Sequence, residues 1–139
     1  MIIDCHGHYT TAPAALSEYR DAQLARVATD PEDLAGATRI DISDDAIRES
    51  VEGAQLKLQA ERGTDLTLFS PRASAMGHHL GNIHTAVHWS EQCNDLIRRV
   101  CDLYPASFAP VCQLPQAPGA PIEPAVSELR RCVEQLGFV

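Results

Sequence analysis

Short apolar runs alternate with longer helix-forming segments along the whole chain. This pattern predicts strands and helices in the order 1–5, 43–63, 64–70, 85–104, 107–114 and 122–136, beginning with a strand. Phe138 and Val139 look like the start of a fourth strand. Strands separated by helices pair in parallel through right-handed crossovers. The sequence therefore predicts an α/β fold whose functional residues gather at the carboxyl ends of the strands.

The helical segments are marked at their ends and along one face. Ser43 can cap the first long helix, and Gly63 can end it. A shorter helix is expected after Pro13, and Pro31 ends it within a loop-like stretch at 30–42. The apolar residues predicted to face the core are Ile47, Val51, Ala54, Leu58, Cys93, Leu96, Ile97, Val100, Leu103, Ile122, Val126, Leu129 and Val133.

Size, charge and cysteine content narrow the class of protein. A length of 139 residues fits one domain. The net charge of −8, spread along the chain, argues against nucleic acid or an anionic membrane as partner. No stretch reaches the ~20 apolar residues that a membrane span needs, and no signal peptide is expected, because the first residues lack a basic segment. Five cysteines without a CxxC motif predict reduced thiols in a cytoplasmic protein.

His6 and His8 lie at the end of the first apolar run, with Gly7 between them. Side chains two positions apart on a strand share a face, so both imidazoles are expected on one side, with Asp4 deeper on that side. Two imidazoles at the carboxyl end of a strand make half of a metal site, and zinc suits nitrogen ligands. The alternative is a pair of solvated histidines in a surface turn. Cys5 is expected on the opposite face, in packing.

The loop after the second strand, at 71–82, carries further candidates. Arg72 would lie on the same side as the histidine pair, where a bidentate cation could bind a carboxylate. His78 and His79 could bind a carboxylate or transfer a proton. The alternative for each is a solvated surface residue. Ser70 and Ser74 are expected only to make turns.

A second histidine pair, His84 and His88, has the spacing of helical zinc sites. Residue 85 is threonine rather than the glutamate of an HExxH motif, so this pair is not expected to bind metal.

The segments MIIDCHGHYT and TDLTLFSPRASAMGHH together resemble the metal-dependent amidohydrolase superfamily. His-x-His on the first strand is common to that superfamily. The segment FSPRASAMGHH, at 69–79, is similar to the 4-oxalomesaconate hydratase family. That family lies in the amidohydrolase branch that also holds aminocarboxymuconate-semialdehyde decarboxylase.

The resemblance implies a (β/α)8 barrel that holds one divalent metal ion, expected to be zinc. Residues 1–139 would be a single partial barrel domain, the N-terminal part of a longer protein. His6 and His8 match the first two metal ligands, and the remaining ligands and the general base would come from later strands. Arg72, His78 and His79 are expected to bind a small polycarboxylate substrate, and a homodimer is expected for the full-length protein.

The activity that the resemblance implies is addition of water to 4-oxalomesaconate, in the breakdown of protocatechuate and gallate. The alternatives are a metal-dependent decarboxylase or hydrolase on the same scaffold, or an inactive truncated fragment.

Overall fold

The computed structural model describes residues 1–30 and 39–139, so Pro31 and most of the predicted loop lie outside the described residues. The elements in chain order are β1 Ile3–His8, α1 Ala14–Thr29, α2 Asp44–Val51, a π-helical turn Glu52–Leu56, α3 Lys57–Arg62, β2 Leu66–Ser70, a 3-10 turn Ala73–Ala75, α4 Ile83–Leu103, β3 Phe108–Pro110 and α5 Glu123–Glu134. The predicted alternation of strands and helices is confirmed. Among the described residues, no helix is both long and apolar enough to cross a membrane.

The three strands form one parallel sheet in the order β1-β2-β3. Each pair is joined by a helical crossover, as expected for consecutive units of a β/α barrel. Val139 donates its backbone N–H to the carbonyl of Pro110 at 3.1 Å, so the chain returns beside β3 after α5. This is the position that a fourth parallel strand would take.

The core lies between the sheet and the helices that cover it. Phe69 stacks on Phe108 with ring centroids 4.6 Å apart, and Tyr9 contacts Phe69 from the other side. Ile47 and Val100, on α2 and α4, are fully buried in the same cluster. The predicted stripe of α4 is therefore confirmed.

The predicted stripe along residues 43–63 is only half correct. Ile47 and Val51 are buried as expected, but Leu58 is 45% exposed and Gln59 is buried in its place. The reason is the π-helical turn Glu52–Leu56, which holds an extra residue and so rotates the residues of α3 by one position. The amide of Gln59 donates to the backbone carbonyl of Ser107 at 3.1 Å, which ties α3 to the start of β3.

The predicted core stripe of α5 is wrong. Its apolar residues are exposed, namely Ile122, Val126, Leu129 and Val133. The face buried against α4 instead holds Ala125, Glu128 and Cys132. A helical pattern identifies an apolar face, but the neighbouring elements decide whether that face is covered.

Strand lengths also differ from the sequence prediction. β1 runs to His8 rather than ending at Cys5, because it continues to pair with β2 as far as the partners His8 and Ser70. β3 covers only Phe108–Pro110 of the predicted 107–114, and the ladder with β2 ends at Pro110. Beyond it, the side-chain oxygen of Asn94 accepts the Gln113 backbone N–H at 2.8 Å.

A buried polar network joins α4, α5 and the segment after β3. The Asn94 amide donates to the Gln113 carbonyl at 2.9 Å and to Glu128 Oε1 at 2.7 Å. Arg131 donates to both carboxylate oxygens of Glu128 and to Asp95. The buried carboxylate is thus fully hydrogen-bonded, which burial of a charge requires.

Glu128→Gln tests this network. Burial raises the pKa of the Glu128 carboxyl, but hydrogen bonds from Arg131 and Asn94 outweigh burial and hold the pKa below its usual value. Because the pKa is lower in the folded state than in the unfolded state, the ionised carboxylate stabilises the fold at pH values above the unfolded-state pKa. This stabilisation is lost as the pH falls through the folded-state pKa. We expect Glu128→Gln to lower the free energy of unfolding by about 1.5–3 kcal/mol near neutral pH. The difference in free energy of unfolding between wild type and variant should become smaller at acidic pH.

Urea unfolding at several pH values measures the effect. The control is Glu134→Gln, because Glu134 is exposed and pairs with Arg130 at 3.7 Å on the same helix. Equal loss in both variants at every pH would contradict the role given to the buried carboxylate.

Candidate metal centre and adjoining cleft

His6 and His8 bring their imidazoles together at the carboxyl end of β1. Their Nε2 atoms lie 3.2 Å apart, and the rings meet edge to face with centroids 4.6 Å apart. His6 is exposed and His8 is half-buried. Two ring nitrogens thus point at one place on the sheet edge where the sequence predicts them.

An irregularity in β1 shapes this end of the strand. Cys5 and His6 stand opposite the single residue Leu68 of β2, so β1 carries a β-bulge. The carboxylate of Asp4 accepts the His6 backbone N–H at 3.0 Å, so Asp4 supports the bulge rather than the metal position. Cys5 is exposed rather than packed, because β1 is an edge strand of the described sheet.

Gly7 is required by the close approach of β1 to β2. A Cβ atom at this position would lie 2.2 Å from Thr67 Cγ2 and 2.9 Å from the Leu68 carbonyl oxygen. Both distances are far below van der Waals contact. The glycine therefore does more than let the strand bend: it allows the two strands to pair at the histidines.

Ser70 lies next to His8 at the end of β2. Its Oγ is 2.7 Å from His8 Nδ1 and donates to the Gly7 carbonyl at 3.1 Å. The sequence predicts for Ser70 only a role in a turn. The signal that could have found it is its place at the carboxyl end of a strand parallel to β1, level with His8.

The distance between the two Nε2 atoms fits a shared metal ion. Two nitrogens bound at about 2.0–2.1 Å to a tetrahedral zinc stand about 3.3–3.4 Å apart, close to the 3.2 Å between His6 and His8. Among residues 1–30 and 39–139, no group of three or more histidines, cysteines or carboxylates could hold a metal. The pair is thus a partial ligand set. His84 is exposed on α4, and His88 lies 3.8 Å from Glu91, so the helical pair forms no such group either.

A cleft of about 420 Å³ opens beside His8. His8 and Ser70 line it from the sheet, and His78 lines it from the loop after β2. Gln113 and Cys112, after β3, form another wall. Burial raises the pKa of the Cys112 thiol, which disfavours its thiolate form.

The remaining predicted substrate residues lie near this cleft but not in it. Arg72 is exposed, donates from Nε to Ser74 Oγ at 3.0 Å, and lines a second pocket of about 190 Å³. Pro71 and Trp89 line both pockets and form the boundary between them. His79 is exposed and lies over Gly77, where an added Cβ would be 2.6 Å from the imidazole.

Comparison with known proteins assigns the chain to a family. The amidohydrolase family model matches residues 3–139. The chain belongs to the amidohydrolase family. The family that the sequence predicts is thereby confirmed.

Two relatives of this amidohydrolase chain are hydratases. It is 52% identical to 2-keto-4-carboxy-3-hexenedioate hydratase of Sphingobium sp., covering the whole chain and 40% of that protein. The structure matches 4-oxalomesaconate hydratase LigJ from Rhodopseudomonas palustris with a TM-score of 0.86 and 42% identity, over all of this chain and 41% of that one. The chain thus spans about two fifths of the length of these proteins.

A more distant match shows the fold alone. Dihydroxybenzoic acid decarboxylase from Polaromonas sp., solved with manganese and 2-nitroresorcinol, has a TM-score of 0.60 and 24% identity over 99% of this chain and 36% of that one. The partial α/β barrel predicted from the sequence is therefore shared by proteins of different activities.

Gly7→Ala tests the strand contact that positions the histidines. The added methyl group must displace β1 from β2, so we expect a loss of about 1–3 kcal/mol in the free energy of unfolding. The control is Gly53→Ala, because nothing lies within 4 Å of a Cβ placed there. Thermal unfolding of both variants gives the comparison, and an unchanged Gly7→Ala variant would show that the strands are not closely packed at this point.

Proposed function

We propose that this chain supplies part of the metal centre and part of the substrate pocket of a zinc-dependent hydratase that adds water to 4-oxalomesaconate. The observation that carries the proposal is the convergence of His6 and His8, whose Nε2 atoms lie 3.2 Å apart, with His8 also lining the cleft. The reaction is inferred from the relatives, since one at 52% identity and one at 42% are named as hydratases.

In this proposal His6 and His8 hold the zinc ion through Nε2, and the rest of the ligands come from parts of the full-length protein beyond these residues. A bound zinc ion polarises the oxygen of a substrate carbonyl or of water. The sheet holds His8 in place through the ladder between β1 and β2, where it stands level with Ser70. The protein therefore holds the His8 ring in position, and the Nε2 of His6 lies 3.2 Å from the Nε2 of His8.

The substrate named for the Sphingobium relative, 2-keto-4-carboxy-3-hexenedioate, carries three carboxylates and a carbon–carbon double bond. A metal ion cannot contact all three carboxylates, so other cationic groups are needed. In this proposal Arg72 supplies a permanent positive charge from the adjoining pocket, and His78 and His79 supply ring N–H donors. In the described part of the chain the Arg72 guanidinium donates only to Ser74, which leaves a fork of N–H groups for a carboxylate.

The reaction adds the elements of water across the double bond: hydroxide joins one carbon and a proton joins the other. His78 lines the cleft together with His8 and can donate or accept a proton there. The residue that activates the water is proposed to come from later strands. Trp89 and Leu114 add apolar surface to the walls of the cleft.

The cytoplasm is the proposed location, since all five cysteines are free thiols and three of them are buried. A homodimer remains a prediction for the full-length protein.

His6→Ala tests the metal centre. We expect the full-length protein to bind about one zinc ion per chain, and the variant to lose most of it because one of two ligands on β1 is gone. Elemental analysis after dialysis measures the content. The control is His84→Ala, an exposed histidine on α4, which should keep its zinc. Full retention by His6→Ala would refute the ligand assignment.

Arg72→Met and Arg72→Lys test substrate recognition. Loss of hydrogen bonds to a charged group costs roughly 1.5–3 kcal/mol, or about ten- to a hundredfold in kcat/KM. We expect Lys to show this loss, because it keeps the charge without the bidentate geometry, and Met to show more. Zinc content should not change. Loss of the conjugated absorbance of 4-oxalomesaconate follows the reaction.

The matched control is Arg130→Met, since Arg130 lies on α5 and pairs with Glu134. A wild-type kcat/KM in Arg72→Met would show that Arg72 is a surface residue that does not bind the substrate. A wild-type protein that binds zinc yet does not hydrate this substrate would support the metal centre and refute the proposed hydratase activity.

A further inference from the structure

We infer that Ser70 is a positioning residue that fixes the tautomer of His8 and so keeps its Nε2 free for the metal. The inference rests on the proposed metal centre. It concerns a residue for which the sequence predicts only a turn.

The hydroxyl of Ser70 has one proton and two neighbours. The Gly7 carbonyl, 3.1 Å away, can only accept, so the hydroxyl proton goes to it. Ser70 Oγ then offers a lone pair to His8 Nδ1 at 2.7 Å, and the imidazole must carry its proton on Nδ1 to complete this bond. The Nε2 of a neutral His8 is consequently unprotonated, which is the form that a metal binds.

The opposite arrangement breaks a contact and blocks the site. If Ser70 donated to Nδ1, the Gly7 carbonyl would lose its hydrogen bond from the hydroxyl. His8 would then carry its proton on Nε2, directed at the place that His6 Nε2 also faces. That proton would have to leave before a metal could bind.

The hydroxyl is held by backbone on two strands. Ser70 pairs with His8 in the parallel ladder, and its carbonyl accepts the Tyr9 N–H at 2.9 Å. Both neighbours of the hydroxyl, the Gly7 carbonyl and the His8 ring, belong to the last two residues of β1. The same contact between strands that Gly7 allows therefore sets the protonation pattern of the ligand.

Three variants of the full-length protein test this role. Ser70→Ala removes the hydroxyl, and Ser70→Thr keeps it on a residue suited to strands. Ser74→Ala is the matched control, because Ser74 loses only a bond to Arg72. Zinc Kd is measured by competition with a chelator at one fixed pH. The His8 tautomer is read from long-range 15N–1H NMR spectra of the metal-free protein.

The wild type should show His8 protonated on Nδ1, and Ser70→Ala should show a mixture of tautomers and a zinc Kd about 10–100-fold weaker. Ser70→Thr and Ser74→Ala should keep the wild-type Kd. Nε2-protonated His8 in the metal-free wild type, or a wild-type Kd in Ser70→Ala, overturns the role of Ser70 while leaving the metal centre intact. A wild type that binds no zinc overturns the metal centre and the role of Ser70 with it.

Discussion

The pairing of β1 with β2 at Gly7 is the constraint on which the candidate site depends. Here the two backbones approach so closely that no Cβ fits between them. That approach lets His8 and Ser70 stand side by side at the end of the ladder. It also comes directly after the β-bulge at Cys5 and His6. A shift of this pairing would move the Ser70 hydroxyl away from His8.

The wall of the cleft opposite the histidines depends on a different interaction. The segment after β3 leaves the sheet, so its backbone groups need partners elsewhere. Asn94 supplies both a donor and an acceptor to Gln113. Its amide also donates to Glu128, which in turn accepts from Arg131. Two helices and a loop are thereby fixed to one another by buried polar groups. The apolar face of α5 is left exposed on the opposite side.

Local signals in the sequence predict the ends of helices well, because a helix cap depends on residues that are close together in the chain. Ser43 caps α2 through a bond to the Ala46 N–H, and Gly63 ends α3 with a positive φ, both as expected. The prediction fails where an element depends on its neighbours. A π-helical turn moves Gln59 into the place expected for Leu58. β3 stops early because the chain leaves β2 after Val111, whose N–H still bonds to the Phe69 carbonyl, and Gln113 bonds to Asn94 instead.

The sequence by itself determined the order of strands and helices and the place of the histidine pair at the carboxyl end of β1, because periodicity and spacing are local properties of the chain. The family followed from the resemblance of two short segments to known proteins. Only the tertiary structure decided which residues surround that pair. Ser70 is 62 positions away from His8 along the chain, yet 2.7 Å from it in space. Arg72 and His78 come from one loop but line different pockets, since Pro71 and Trp89 separate them. Contacts of this kind arise from strand register and packing, which no local pattern encodes.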